Sequence, residues 1–174
     1  PITGTKDGPK ALNFGIPFTH RPKALRYDYK VHVPGTPNRI RQTGFSKVTT
    51  VPGPDYCIAM LLLQKRHEDA NGNITAQRVG TVVVKYGKST GGWVEDATYE
   101  IHYGNITGKS FYNAATMGLR SHDYARNSKG KSVLVKETGW APADATPTHI
   151  VLQFSSSHGG AYVGTVGNTF WVDN

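Results

Sequence analysis

The chain carries a single cysteine, Cys57, among 174 residues. One thiol cannot close an internal disulfide, nor supply the thiolate set of a structural zinc site. Set in the apolar run YCIAMLLL, Cys57 reads as a core filler and is silent on redox compartment. Carboxylates are also scarce, twelve against twenty Lys and Arg, so acid–base chemistry has few candidates. Long apolar runs are missing. The longest, residues 58–63, is far short of the ~18 residues a membrane-crossing helix needs, and it reads as a strand. No glycine-rich phosphate loop occurs, and the seven histidines lack the i, i+4 pairing of a zinc-protease helix. There is no Gly-x-Ser-x-Gly elbow. Ser155, Ser156 and Ser157 stand before His158 at a strand end, not at a strand-to-helix turn, which argues against a serine hydrolase.

What is present is consistent with one all-β domain. At this length a chain buries roughly 70% of its unfolded surface, so neither metal nor disulfide is required for stability. Net charge is +8, with nine Lys/Arg against two acids in residues 1–47 and eleven against ten in the remainder. A basic end of this kind keeps a domain soluble or meets an acidic glycan or phosphate-rich surface; nucleic acid and a membrane span are not expected. The chain begins at Pro1 and ends at Asn174 within a strand pattern, so it is expected to be a piece of a longer, multidomain secreted protein.

Residues 14–35, FGIPFTHRPKALRYDYKVHVPG, hold the clearest pattern. A clamp of Gly15, Pro17 and Pro22 surrounds Phe18, His20 and Arg21. A strand follows in which Leu25, Tyr27, Tyr29, Val31 and Val33 point one way and Arg26, Asp28, Lys30 and His32 the other. Pro34 and Gly35 end it. Residues 34–54 read as a basic loop or weak strand, and 55–64 as a strand buried on both faces. Asn71-Gly72 marks the tight turn of a hairpin whose return strand covers 78–86. Residues 97–103 predict one alternating strand with Tyr99, Ile101 and Tyr103 together. Residues 104–131 read as a long irregular loop with a helical turn near 114–119. Short strands are expected at 131–137, 148–155 (Ile150, Leu152 and Phe154 on one face), 161–164 and 169–173, and an edge strand within 1–24. Many short strands with almost no helical period predict an antiparallel sandwich or barrel.

Two readings of the polar residues follow. Asp28 and Glu100, on polar faces of alternating strands, could flank a glycosidic bond as the carboxylate pair of a glycoside hydrolase, if their strands are neighbours. Alternatively Asp28 joins a cross-strand charge ladder with Arg26, Lys30 or His102. The aromatics favour binding over turnover. Sugar rings stack their C–H faces on indoles while charged and amide side chains bond the hydroxyls. Trp93 and Trp140, beside loop glycines, are expected to be exposed; Trp171 lies in the last strand.

Three blocks carry a resemblance: GIPFTHRPKALRYDYKVHVPG at 15–35, TGGWVEDATYEIHYG at 90–104, and PTHIVLQFSSSHGGAYVGTVGNTFWVDN at 147–174. In this order they resemble the carbohydrate-metabolism domain family (PCMD) found at the C-terminal end of secreted or surface proteins of Bacteroides-type bacteria. The resemblance covers residues 11–174. It implies a jelly-roll-like β-sandwich resembling carbohydrate-binding modules, an extracytoplasmic location, and a role near polysaccharide use. It supplies no catalytic residue. Residues 108–132 are longer and more basic than the family pattern, and the closing strand of the family continues beyond the position of Asn174.

The expectation is therefore a non-catalytic glycan-binding module, with Arg26, Asp28, Lys30, Glu100, His102 and Gln153 on a polar face and Trp93, Trp140, Arg120 and His122 as further contacts. The alternatives are the hydrolase and a structural or adhesion module without glycan contact. No cofactor is expected; a structural calcium ion would be compatible with the class, but no residue pattern requires one. Other domains of the same chain are expected partners.

Overall fold

Period-2 patterns become strands almost throughout. The computed structural model describes residues 8–43, 46–160 and 162–174; expectations for residues 1–7, and for Ala161 at the head of a short strand, lie outside the described residues. In chain order the elements are α1 (Gly8–Ala11), β1 (Ile16–Pro17), β2 (Ala24–His32), β3 (Asn38–Thr43), β4 (Lys47–Pro52), β5 (Cys57–Glu68), β6 (Ile74–Tyr86), β7 (Val94–Glu100), β8 (His102–Tyr103), α2 (Ala114–Met117), β9 (Asp123–Arg126), β10 (Ser132–Trp140), β11 (His149–Ser155), β12 (Val163–Gly164) and β13 (Thr169–Asp173). The protein is all-β: the described residues are 52% strand and 4% helix, in several antiparallel sheets. One sheet has the order β1-β11-β5-β6-β10-β9 with β8 added to β6, and two three-stranded sheets have the orders β12-β3-β4 and β13-β2-β7.

The chain divides into two compact units. The first comprises Pro1–Lys23, Leu61–Val82 and Ile101–Leu152; the second comprises Ala24–Met60, Val83–Glu100 and Gln153–Asn174. In the second unit the inward face of β2 buries Tyr27 and Val31, with Val33 just beyond the strand, against Cys57 and Ala59 of β5 and Tyr86 of β6. Leu25, Tyr29, Tyr99, Phe154 and Phe170 close the same core, giving the two layers of a β-sandwich. Rings meet edge-on, Tyr27 with Phe154 at 5.0 Å and Phe154 with Phe170 at 5.7 Å, and such pairs add about 0.5–1.5 kcal/mol each beyond area burial. Tyr86 bonds the Tyr27 hydroxyl and donates to the Tyr99 hydroxyl at 2.8 Å, so the phenols satisfy one another inside the core. Cys57 is fully buried here, its Sγ 3.5 Å from the Ser156 carbonyl, and burial pushes its thiol up to about 11. It is the core filler its neighbours predicted.

In the first unit, Ile74, Ala76, Ala125 and Val135 form an apolar layer from β6, β9 and β10. The hairpin of β5 and β6 turns where Asn-Gly predicted. Asp69 accepts the amides of Asn71 and Asn73 at 2.9 Å, and Gly72 takes φ +84°, a conformation that favours glycine. Residues 59–63 are all buried, as their unbroken apolarity required. The clamp before β2 is held by donors. Phe18 N–H bonds the Thr148 carbonyl at 2.9 Å, while Arg21 lies 4.2 Å over the Tyr103 ring and donates to the carbonyls of Ala143 and Ala145.

Four expectations are corrected. First, β10 runs parallel to β6, Val135 opposite Ile74 and Trp140 opposite Arg78. The long segment between them is a crossover, which a parallel pair requires and a hairpin cannot supply. Second, residues 97–103 are not one strand: β7 pairs with β2, β8 pairs with β6, and Ile101, buried at the break, donates its N–H to Lys23. Third, within the segment read as a basic loop or weak strand, β3 and β4 form a full antiparallel pair, with Pro37 before β3 and Pro52 on the terminal pair, where no ladder donor is interrupted. Fourth, β11 does not cover the Ile150, Leu152 and Phe154 face evenly: Leu152 is 48% exposed while Val151, of the opposite parity, is buried, and Phe154 packs in the core of the second unit.

Candidate functional site

The solvent face of β13-β2-β7 is assembled by register. With Tyr27, Val31 and Phe170 turned inward, strand alternation turns Arg26, Asp28, Lys30 and His32 of β2 outward. β13 aligns Thr169 with His32, Trp171 with Lys30 and Asp173 with Asp28. β7 aligns Thr98 with Arg26 and Glu100 with Ala24. The result is an exposed indole, Trp171, with the Lys30 ammonium 5.1 Å from its ring centre. Two carboxylates, Asp28 and Asp173, stand directly opposite each other beside it, an arrangement that disfavours the bare sheet. Arg26 reaches Asp96 at 3.2 Å on the surface, and the Asp96 N–H donates to Asp28 at 2.7 Å. Asp96 holds φ 53°, the left-handed region, at the bulge between Tyr27 and Tyr29.

Of the residues predicted from sequence, Arg26, Asp28, Lys30 and Glu100 share this face. Trp93 is 48% exposed in the same unit, as expected, and Gln153 is half-buried on β11. The other four belong to the first unit. There His102 stacks on Phe111 at 4.2 Å. Arg120 binds both carboxylate oxygens of the buried Asp123 at 2.7 Å, and His122 is exposed. Trp140 is half-buried at the end of β10, with the Arg78 guanidinium 5.6 Å from its ring, instead of exposed in a loop. The exposed tryptophan that sequence reasoning ranked last is Trp171. Its outward parity was readable from Phe170, the neighbour that must face the core.

Asp28 and Glu100 do sit on neighbouring strands. Glu100 faces Ala24, however, so Asp28 lies four residues further along β2. At about 3.3 Å per residue that is roughly 13 Å. Retaining and inverting glycosidases hold their carboxyls about 5–9.5 Å apart, so this pair is spaced too widely for either geometry.

A second polar cluster, in the second unit, was missed from sequence. His158 Nδ1 donates to Asp55 at 2.7 Å, Arg39 donates to Nε2 at 3.0 Å, and the Tyr56 ring stacks on the imidazole at 3.6 Å. Burial pushes the Asp55 carboxyl up, but donors from Ser157 and from the Tyr56, His158 and Thr165 amides outweigh it and leave it below its ordinary range. Burial also holds His158 down, against the pull of Asp55. Ser157 touches Asp55, not the imidazole, and Arg39 occupies Nε2. Serine, histidine and aspartate are adjacent without a nucleophile–base bond, so this is a fastener and not a triad.

Among the described residues no group of three or more His, Cys, Asp or Glu is placed to hold a metal ion, and no helix is long and apolar enough to cross a membrane. No family model, curated protein or solved structure matches the chain.

Proposed function

We propose that the protein is an extracytoplasmic carbohydrate-binding module that holds a glycan on the solvent face of β13-β2-β7, in keeping with the sequence resemblance to carbohydrate-metabolism domains. The observation that carries this is the exposed Trp171 indole, in register with Lys30 and flanked by the opposed carboxylates Asp28 and Asp173. An indole offers the flat apolar surface on which a pyranose ring stacks. Asp28 and Asp173 accept hydrogen bonds, Lys30 and Arg26 donate them, and Thr98 and Thr169 do either. Ligand hydroxyls donating to the two carboxylates would relieve their mutual repulsion. Polysaccharide is the partner class this chemistry selects.

The test is affinity electrophoresis of the intact chain through gels containing soluble plant and host polysaccharides. Retardation by at least one polymer, lost in Trp171→Ala, is the expected result. A panel without retardation, or retardation that persists in Trp171→Ala, removes this face from consideration and leaves a structural or adhesion role.

A further inference from the structure

A cavity of about 380 Å³ opens in the first unit, lined by Asn13, Gly15, Pro17, Arg66, Glu68, Ile74, Ala125, Arg126 and His149. Its volume lies at the small end of the roughly 300–1,000 Å³ typical of small-molecule sites. The polar groups are built in, not incidental. Arg66 donates Nε to the Gln64 amide oxygen and Nη2 to the Phe14 carbonyl, both at 2.8 Å. Gly15 makes room for this: a side chain there would bring its Cβ within 2.6 Å of Arg66 Nη2. Among the described residues no carboxylate lies within ion-pair distance of Arg66, although burial disfavours its charge. A desolvated guanidinium without a direct counter-ion, lining a cavity, is a preorganised anion contact. Among the described residues the Arg126 side chain bonds the Gly130 carbonyl alone, and His149 uses Nδ1 on the Thr148 hydroxyl, its Nε2 meeting no partner there.

Glu68 sets the other half of the specificity. Its carboxylate accepts the Ser128 N–H and hydroxyl, which lowers its pKa and keeps it ionised. A multiply charged anion would meet Glu68 as a like charge. A single carboxylate directed at Arg66 and Arg126, with hydroxyls donating to Glu68, would satisfy both sides, and Pro17, Ile74 and Ala125 offer an apolar wall to a carbon skeleton. We propose that this cavity binds a compact hydroxylated monocarboxylate, a hexuronate-type sugar acid. The proposal rests on the cavity alone and stands or falls separately from the β13-β2-β7 face.

The experiment is calorimetric titration of the intact protein with glucuronate and galacturonate, beside glucose, galactose, acetate and inorganic phosphate at one ionic strength. At least one uronate is expected to bind, its neutral parent sugar and acetate much more weakly, and phosphate no better than acetate. Arg126→Gln should weaken uronate binding about tenfold, the loss of one charge-assisted contact. Trp171→Ala should leave it unchanged, with thermal melts showing both variants folded. No uronate binding, phosphate binding that exceeds it, or affinity unchanged in Arg126→Gln would overturn the assignment. If Arg126→Gln melts early, chemical-shift perturbation of the His149 and Gly15 signals in the unmutated protein decides the same question.

Discussion

Arg78 and Glu137 form an ion pair whose side chains have no exposed surface, joined through two nitrogen–oxygen contacts. Gln64 donates to the same carboxylate at 2.7 Å, as does the Arg120 N–H, while the second guanidinium edge of Arg78 reaches the Met117 and Gly118 carbonyls. The pair therefore secures the segment between α2 and β9 to β6 and β10. Removing one partner strands a buried charge. Glu137→Gln is expected to cost about 3–5 kcal/mol, read as a lower urea midpoint, whereas Arg78→Met with Glu137→Leu together should cost less than the single change. A single variant as stable as the parent would show that the network contributes nothing.

At high pH the phenol cluster becomes the weak point. Burial, the largest cause, raises Tyr27 and Tyr86 above their ordinary value of 10.0. The folded state thus keeps protons that the unfolded state releases. The contribution of this pair is fully present below pH 10 and falls as pH rises above it. Melting temperatures should begin to decline above pH 9, where the buried Cys57 thiol, raised from 9.0 to about 11, adds its share, and fall more steeply above pH 10, with part of the tyrosinate absorbance appearing only together with unfolding. Tyr86→Phe should flatten that decline while removing about 1 kcal/mol at neutral pH. Ionisation of all nine tyrosines in the still-folded protein would contradict the burial argument.

Acid acts on the other polar cluster. The ordinary value of His158 is 6.5 and its folded value is lower, so its contribution begins to fade once pH falls below 6.5. His149, lowered by burial and by Arg66, adds to the same step. Asp55 is depressed below 3.8, so its contribution persists above that pH and is lost as pH drops through the folded value. Urea midpoints between pH 7.5 and 3 should show two declines. His158→Gln should reduce the upper one, Asp55→Asn the lower one. A pH profile indifferent to either substitution would refute this assignment.

On the sheet face, Trp171→Ala should lower glycan affinity at least about tenfold, because it removes the stacking ring and the Lys30 contact together. Asp28→Asn should weaken binding without changing the fold, since the side chain lies on the surface. Titration of a retained oligosaccharide against each variant measures both. Equal affinity in all three proteins would place the ligand elsewhere.

Strand alternation between Leu25 and Val33 makes the inward and outward sets of β2 legible in the sequence itself, because a pleated strand has only two faces. Apolarity on both faces located β5, and turn chemistry located its Asn-Gly turn. Alternation missed β9 and extended residues 97–103 too far, since Ile101 continues the alternation while its neighbours pair with different strands. It placed Trp140 in the open because a neighbouring glycine reads as a loop; in the fold that glycine follows a bulge on β10.

The residues alone determined an all-β protein with an outward polar stripe on β2, because alternation, β-branched content and turn chemistry are local properties. Only the tertiary structure decided which residues stand beside that stripe. Trp171 meets Lys30, Arg78 meets Glu137, and His158 meets Asp55 across separations in sequence that no local pattern encodes. Those meetings depend on strand order and register, which are set by which apolar faces pack together. The parallel placement of β10 on β6 and the cavity beside Arg66 arise in the same way, from long crossovers that periodicity cannot see.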